Sequence, residues 1–145
     1  MLGRRRALAS LFFLCGGILI DQGSKAWAVQ TFAGGVICNP EGAWGIPVPN
    51  FFLLMLSGGI GCWVVWKEWR QPSEGYVWML FGAGAIGNMI DRFVYGCVID
   101  FISVFSFPVF NVADIFLTLG VCLLGAAFWK EHSSQKSRRE AGSLK

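Results

Sequence analysis

Charge is scarce in this chain: 14% of its 145 residues are Asp, Glu, Lys or Arg, while 54% are apolar. Soluble globular domains carry about 25% charged residues, so an ordinary water-soluble domain is excluded. Histidine is almost absent; His132 stands alone in a serine-containing tail and reads as a solvated surface residue. No C-x-x-C pair occurs among the five cysteines, which removes a zinc site and a thioredoxin-like motif. No G-x-x-x-x-G-K-S/T run occurs, so nucleotide binding has no support. An arginine-rich start followed by an apolar run resembles a secretory signal, but no small-residue cleavage site precedes Asp21. It is read as a retained first helix.

What the chain does have is long apolar stretches. A helix needs about 20 apolar residues to cross a hydrocarbon core of roughly 30 Å. Four segments approach that length, at about 7–29, 51–69, 76–93 and 109–129. Their edges carry tryptophan, and the second and third are dotted with glycines that suit close helix packing in lipid. The expectation is an all-α integral membrane protein: one domain over 1–145, a four-transmembrane-helix bundle with a small outward-facing loop subdomain.

Basic residues orient it. Arg4, Arg5 and Arg6 precede the first segment, Lys67 and Arg70 lie between the second and third, and Lys130, Lys136, Arg138, Arg139 and Lys145 follow the fourth. Ten of the twelve basic residues thereby share one side, which the positive-inside rule makes cytoplasmic. Both termini and the tail 130–145 then face the cytoplasm, and the loops 30–50 and 94–108 face outward. The net charge of +3 is topology signalling of this kind, with no nucleic-acid partner implied.

The few charged groups inside the segments are costly in lipid and need a partner or a function. Asp21 and Lys25 lie past the middle of the first segment, Asn88, Asp91 and Arg92 at the end of the third, and Asn111 and Asp114 at the start of the fourth. All fall in one layer, the outer third. Taken alone, Asn88 and Asn111 are read equally as helix glue and as functional groups. Asp21 and Lys25, four residues apart with the acid first, satisfy each other. Asp91 and Arg92 point to different faces, which leaves Arg92 to brace another carboxylate or a carbonyl.

Four aspartates then face two cations, and Asp100 and Asp114 are left over. Two carboxyl groups in close approach cannot both ionise readily, so one holds a proton near neutral pH. The ionised member takes a proton from attacking water while the other donates to a peptide carbonyl oxygen. The spacing permits this aspartic-protease arrangement. A Ser24/Lys25 hydrolase is weaker, since adjacent helix residues diverge by about 100°.

Most cysteines read as small apolar packers. Only Cys38 and Cys97 fall in outer loops, and the sequence leaves open whether oxidising conditions join them. A four-span thiol oxidoreductase using that pair is one competing class. A proton-relay transporter is another, disfavoured because the inner halves of the segments offer no polar path.

The polar residues form a series of motifs: Asp21-Gln22-Gly23-Ser24-Lys25, then Asn39 through Trp44, Gly87-Asn88-Met89-Ile90-Asp91-Arg92, Gly96-Cys97-Val98-Ile99-Asp100-Phe101, and Phe110-Asn111-Val112-Ala113-Asp114. In that order, from about residue 8 to 129, the chain resembles the bacterial lipoprotein signal peptidases, or signal peptidase II. The resemblance implies Asp100 and Asp114 as catalytic aspartates, with Asn111 and Asn88 holding the pair and the substrate backbone. It implies Arg92 and Asp91 as a structural pair beneath the site, Asp21 with Lys25 as the first-helix motif, and Asn39 as an outer-loop residue packing over substrate.

The implied substrate is a diacylglyceryl prolipoprotein cut before its lipobox cysteine at the outer face of the bacterial cytoplasmic membrane. Membrane lipid is the other partner and no metal or cofactor is called for; a monomer is the expectation, though the sequence itself does not set the oligomeric state. One departure is visible. The family usually has glycine two residues and phenylalanine five residues after the loop asparagine, where this chain has Glu41 and Trp44. Gly42 is the expected source of flexible backbone there. The proline-containing outer loop is expected to lie along the interface as a lid.

Overall fold

The structure, a computed structural model, describes residues 2–32, 34–42, 46–70 and 75–143. Trp44 and Lys145 lie outside the described residues. Four helices account for most of the chain: α1 (Leu2–Thr31), α2 (Asn50–Arg70), α3 (Gly75–Tyr95) and α4 (Val112–Ser143). Two short strands, β1 (Ile37–Asn39) and β2 (Val98–Asp100), pair antiparallel with Ile37 opposite Asp100, Cys38 opposite Ile99 and Asn39 opposite Val98. This ribbon corrects the all-α expectation. Three-residue strands carry too little alternation to stand out in a sequence.

α3 is the central helix and packs against each of the other three. Its small residues explain why. An added Cβ at Gly87 would lie 2.5 Å from an Asp21 carboxylate oxygen, and one at Gly84 would run into the carbonyl of Ala113. α1 and the start of α4 therefore approach α3 more closely than any larger side chain permits. Below that contact, Leu14, Val64, Trp78, Met79 and Ala83 form the apolar core, with Trp63 set edge-on to Trp78 at 4.8 Å between ring centroids.

The surface inverts the soluble pattern. Asp21, Lys25, Asn88, Asp91, Arg92, Asp100 and Asn111 are buried, while Phe12, Leu19, Phe51, Phe52, Leu56 and Val121 are exposed. Buried polar groups and exposed large apolar surface are the two informative departures from ordinary burial. Among the described residues, no helix is long and apolar enough to cross a membrane. Polar residues such as Asp21, Lys25, Asn88 and Asp91, together with several glycines, dilute the apolar runs.

The helix ends follow local chemistry. α3 stops at Tyr95 because Gly96 takes a left-handed φ of 76° and returns its N–H to the Arg92 carbonyl at 3.1 Å. α4 starts at Val112 rather than near 109, because Phe110 pairs as a β-bridge with Ile102 and Asn111 caps the helix. It continues past Trp129 through the segment read as a tail, where Glu, Gln, Lys and Arg are good helix formers and no proline intervenes. Gly42 is also not the flexible point expected of it. It is buried, donates to the Ile46 carbonyl at 2.9 Å, and is absent from the positive-φ glycines, Gly34 and Gly96.

The two cysteines left open by the sequence are joined. Cys38 and Cys97 form a disulfide with Cα atoms 5.5 Å apart across 59 residues of chain. In a chain-entropy picture, closing a loop of that length stabilises the folded state by about 4 kcal/mol. The other three cysteines, Cys15, Cys62 and Cys122, are free and exposed.

Candidate active site

The site forms where the start of α4 meets α1, α3 and the β-ribbon. Asn111 is the N-cap of α4: its Oδ1 accepts from the Asp114 N–H at 3.0 Å, and Asp114 Oδ2 accepts from the Asn111 N–H at 3.2 Å. This reciprocal arrangement is a capping box with Asp at the third helical position. It fixes where the Asp114 carboxylate lies. The N–H of Ala113, another of the helix's unpaired donors, goes to Asp21 Oδ1 at 2.8 Å.

Asp100 ends β2 and is 3% exposed. Its Oδ1 accepts from Asn111 Nδ2 at 2.7 Å and its Oδ2 from Asn39 Nδ2 at 3.0 Å. Burial pushes this carboxyl up to about 6; the negative charge of Asp114 adds to the rise, and the two asparagine donors and Lys25 oppose it. Asn88 completes the frame. Its Nδ2 donates to Asp114 Oδ1 at 2.9 Å, while its Oδ1 accepts from both Asn111 Nδ2 and Lys25 Nζ at 3.1 Å. Asp100 and Asp114 are thus linked through two asparagine amides, each carboxylate held by neutral donors.

Behind this frame lies a second group of charges. Lys25 Nζ sits 2.7 Å from Asp21 Oδ2 and 2.8 Å from Asp91 Oδ2, all three side chains being nearly inaccessible. The expected Asp21–Lys25 pair forms, and Lys25 is shared with Asp91 as well. Asp91 forms no ion pair with Arg92. It bonds Lys25, accepts from the Ile99 N–H at 3.1 Å, and accepts from Gln22 Nε2 at 2.8 Å. Neighbouring residues on a helix project about 100° apart, so Asp91 and Arg92 serve different sides.

Arg92 instead donates from Nη2 to the Glu41 carbonyl at 3.2 Å, and its buried Nε has no partner among the described residues. It braces a carbonyl, one of the two roles expected for it. Ser24 donates to the Asp21 carbonyl at 2.7 Å, an ordinary helix back-bond that leaves no Ser/Lys pair.

A cleft of about 340 Å³ opens over the frame. Asn39, Asn88, Arg92, Asp100 and Asp114 line it; Asp21, Lys25, Asp91 and Asn111 do not and support it from behind. Its other walls are largely apolar, including Leu56, Ile60, Val109, Phe110 and Leu117. Gln22 is the supporting residue that sequence reasoning passed over, although it stands inside the first-helix motif. It also donates to the Gly87 carbonyl at 3.2 Å, tying α1 to α3.

Two carboxyl groups held by asparagine amides thus line a cleft whose other walls are largely apolar. Comparison with known proteins places this in a family. The model for Signal peptidase (SPase) II matches residues 13–130. A lipoprotein signal peptidase of Microcystis aeruginosa is 46% identical over 143 residues, covering 77% of this chain and 86% of that protein. One of Lactococcus lactis is 31% identical over 138 residues, covering 82% and 92%.

Among solved structures, a bacterial membrane enzyme determined in meso at 2.3 Å resolution superposes with a TM-score of 0.80 at 29% identity, covering 87% of this chain and 90% of that one. A second, at 1.9 Å, gives a TM-score of 0.74 at 29% identity over 83% and 92%. The chain belongs to the signal peptidase II family. It is a peptidase and a bacterial membrane protein.

Proposed function

We propose that this chain is an aspartic endopeptidase that removes signal peptides from diacylglyceryl prolipoproteins, cutting before the lipobox cysteine, with Asp100 and Asp114 as the catalytic pair. Family membership supports the removal of signal peptides from lipoproteins. The observation that carries the catalytic assignment is the contrast in partners: of the four aspartates, these two line the cleft and are held by asparagine amides, while the other two are held by Lys25.

An amide donor positions a carboxyl group without neutralising it. Asp100, whose carboxyl is pushed up to about 6, carries a proton at mildly acidic pH and donates it to the scissile carbonyl oxygen. Asp114, which also lines the cleft, takes the proton of the attacking water. Nitrogen protonation by the same pair then lets the tetrahedral intermediate collapse. Asn88, on the cleft wall, holds the pair and the substrate backbone with Asn111 behind it, and Asn39 packs over the substrate.

The four helices are proposed to span the bacterial cytoplasmic membrane, termini inside, with the β-ribbon and cleft at the outer face. The signal helix and acyl chains then stay in lipid, and only the peptide bond reaches the pair. The test is incubation of the purified protein with a diacylglyceryl prolipoprotein and mass analysis of the products. A mature fragment beginning at the lipidated cysteine is expected; cleavage elsewhere, or none, overturns the substrate assignment.

A further inference from the structure

The disulfide joins the segments that carry Asn39 and Asp100, and neither cysteine lines the cleft. Cys38 immediately precedes Asn39, which donates to Asp100; Cys97 stands three residues before Asp100 itself. The two strands it joins are anchored unequally. β2 is tied to α3 at two points, by the left-handed turn at Gly96 and by the Ile99 N–H on Asp91, which is itself paired with Lys25. Among the described residues, β1 is tied to the helices by one side-chain bond, from Arg92 Nη2 to the carbonyl of Glu41, two residues beyond the strand. Otherwise it rests on three residues of ribbon, and a two-stranded ribbon is at best marginal by itself.

We propose that the Cys38–Cys97 bridge is a positioning element of the active site: it holds β1 on β2 so that Asn39 keeps its amide on Asp100 and Glu41 its carbonyl on Arg92. Asn39 then stays aimed because the residue before it is covalently fixed to the strand that carries Asp100. The Glu41 N–H, donated to Asn39 Oδ1 at 3.0 Å, sets the orientation of that amide from the other side. With the bridge open, the ribbon loosens and both contacts lengthen, while the capping box of α4 and the Lys25 cluster remain. A displacement of about 1 Å at a catalytic group costs on the order of 100-fold in rate, so even partial loosening is measurable.

This inference rests on the peptidase reading for its kinetic consequence but not for its structural one, and the test separates them. Cleavage of a diacylglyceryl prolipoprotein is compared for the bridged protein, the double variant Cys38→Ser/Cys97→Ser, Asn39→Ala and the triple variant. Opening the bridge is expected to lower kcat at least about 10-fold with KM held within about twofold, and to add less than about threefold to the loss from Asn39→Ala, as coupled residues do. Unchanged kcat in the double variant, or losses that multiply, overturns the proposal.

Proton exchange of the Asn39 side-chain amide, followed by NMR, is the readout that needs no substrate. At least about 10-fold faster exchange on opening is expected for an amide that loses its acceptor; equal exchange overturns the proposal. If the bridged protein does not cleave at all, the peptidase reading falls and the exchange measurement still decides this one. Should the double variant not fold, reducing the folded bridged protein with a water-soluble phosphine gives the same comparison.

Discussion

The molecule holds two pairs of aspartates in one polar layer, and they differ in what faces them. Around Lys25, Asp21 and Asp91 each approach the ammonium group within 2.8 Å and are closed off from the cleft. At the cleft, Asp100 and Asp114 receive amide and backbone N–H donors. The same side chain thus faces an ammonium group in one place and neutral donors in the other, where the proposed proton transfer takes place. Asn88 joins the two regions, with its oxygen on Lys25 and its nitrogen on Asp114.

The contrast breaks most sharply by substitution. Asp100→Asn and Asp114→Asn are each expected to cut at least about 10³-fold more slowly, as the loss of a catalytic group costs. Each forfeits one hydrogen bond, since two donors converge on both carboxylates, at a cost of about 1 kcal/mol. Rate therefore collapses while fold persists. Lys25→Met should do the reverse in kind: it strands two buried carboxylates and is expected to destabilise by about 3–5 kcal/mol, read by thermal unfolding in detergent.

Gly87→Ala is expected to cost about 1–3 kcal/mol, because its Cβ would sit 2.5 Å from Asp21 and push that carboxylate off Lys25 and the Ala113 N–H. The unfolding midpoint measures it. The smallest effect is on pH dependence. Asp100 titrates at about 6 in the fold against 3.8 ordinarily, so its protonated form is favoured by folding. Stability from this group is whole below pH 3.8 and is lost as pH rises through about 6. Wild type should lose stability over that window relative to Asp100→Asn, and kcat/KM should fall as pH rises through about 6, a limb that chemical unfolding and initial rates detect separately.

Much of the site was readable because its parts are local. Asn111 and Asp114 stand three residues apart, which is the spacing of a capping box, and Asp21 and Lys25 stand four apart on one helix face. The glycines of α3 signalled close packing, and two of them do admit Asp21 and Ala113. What stayed hidden was contact between distant segments. Nothing in helix periodicity says that Lys25 is shared with Asp91 across two helices, or that Arg92 turns to the Glu41 carbonyl. Cys38 and Cys97 are the two outer-loop cysteines, which makes their bridge a candidate, but its formation depends on a ribbon whose strands are too short for any pattern. Its position beside Asn39 and before Asp100 was the available clue. The continuation of α4 beyond Trp129 leaves no apolar signal, because its Glu, Gln, Lys and Arg favour a helix without lengthening the apolar run.

The most direct measurement is the single-turnover rate of peptide-bond cleavage by Asp114→Asn, taken beside its unfolding midpoint and its affinity for a diacylglyceryl prolipoprotein. A rate at least about 10³-fold below wild type, with binding retained and the midpoint little changed, is the predicted result. Cleavage near the wild-type rate by a folded Asp114→Asn protein would contradict it.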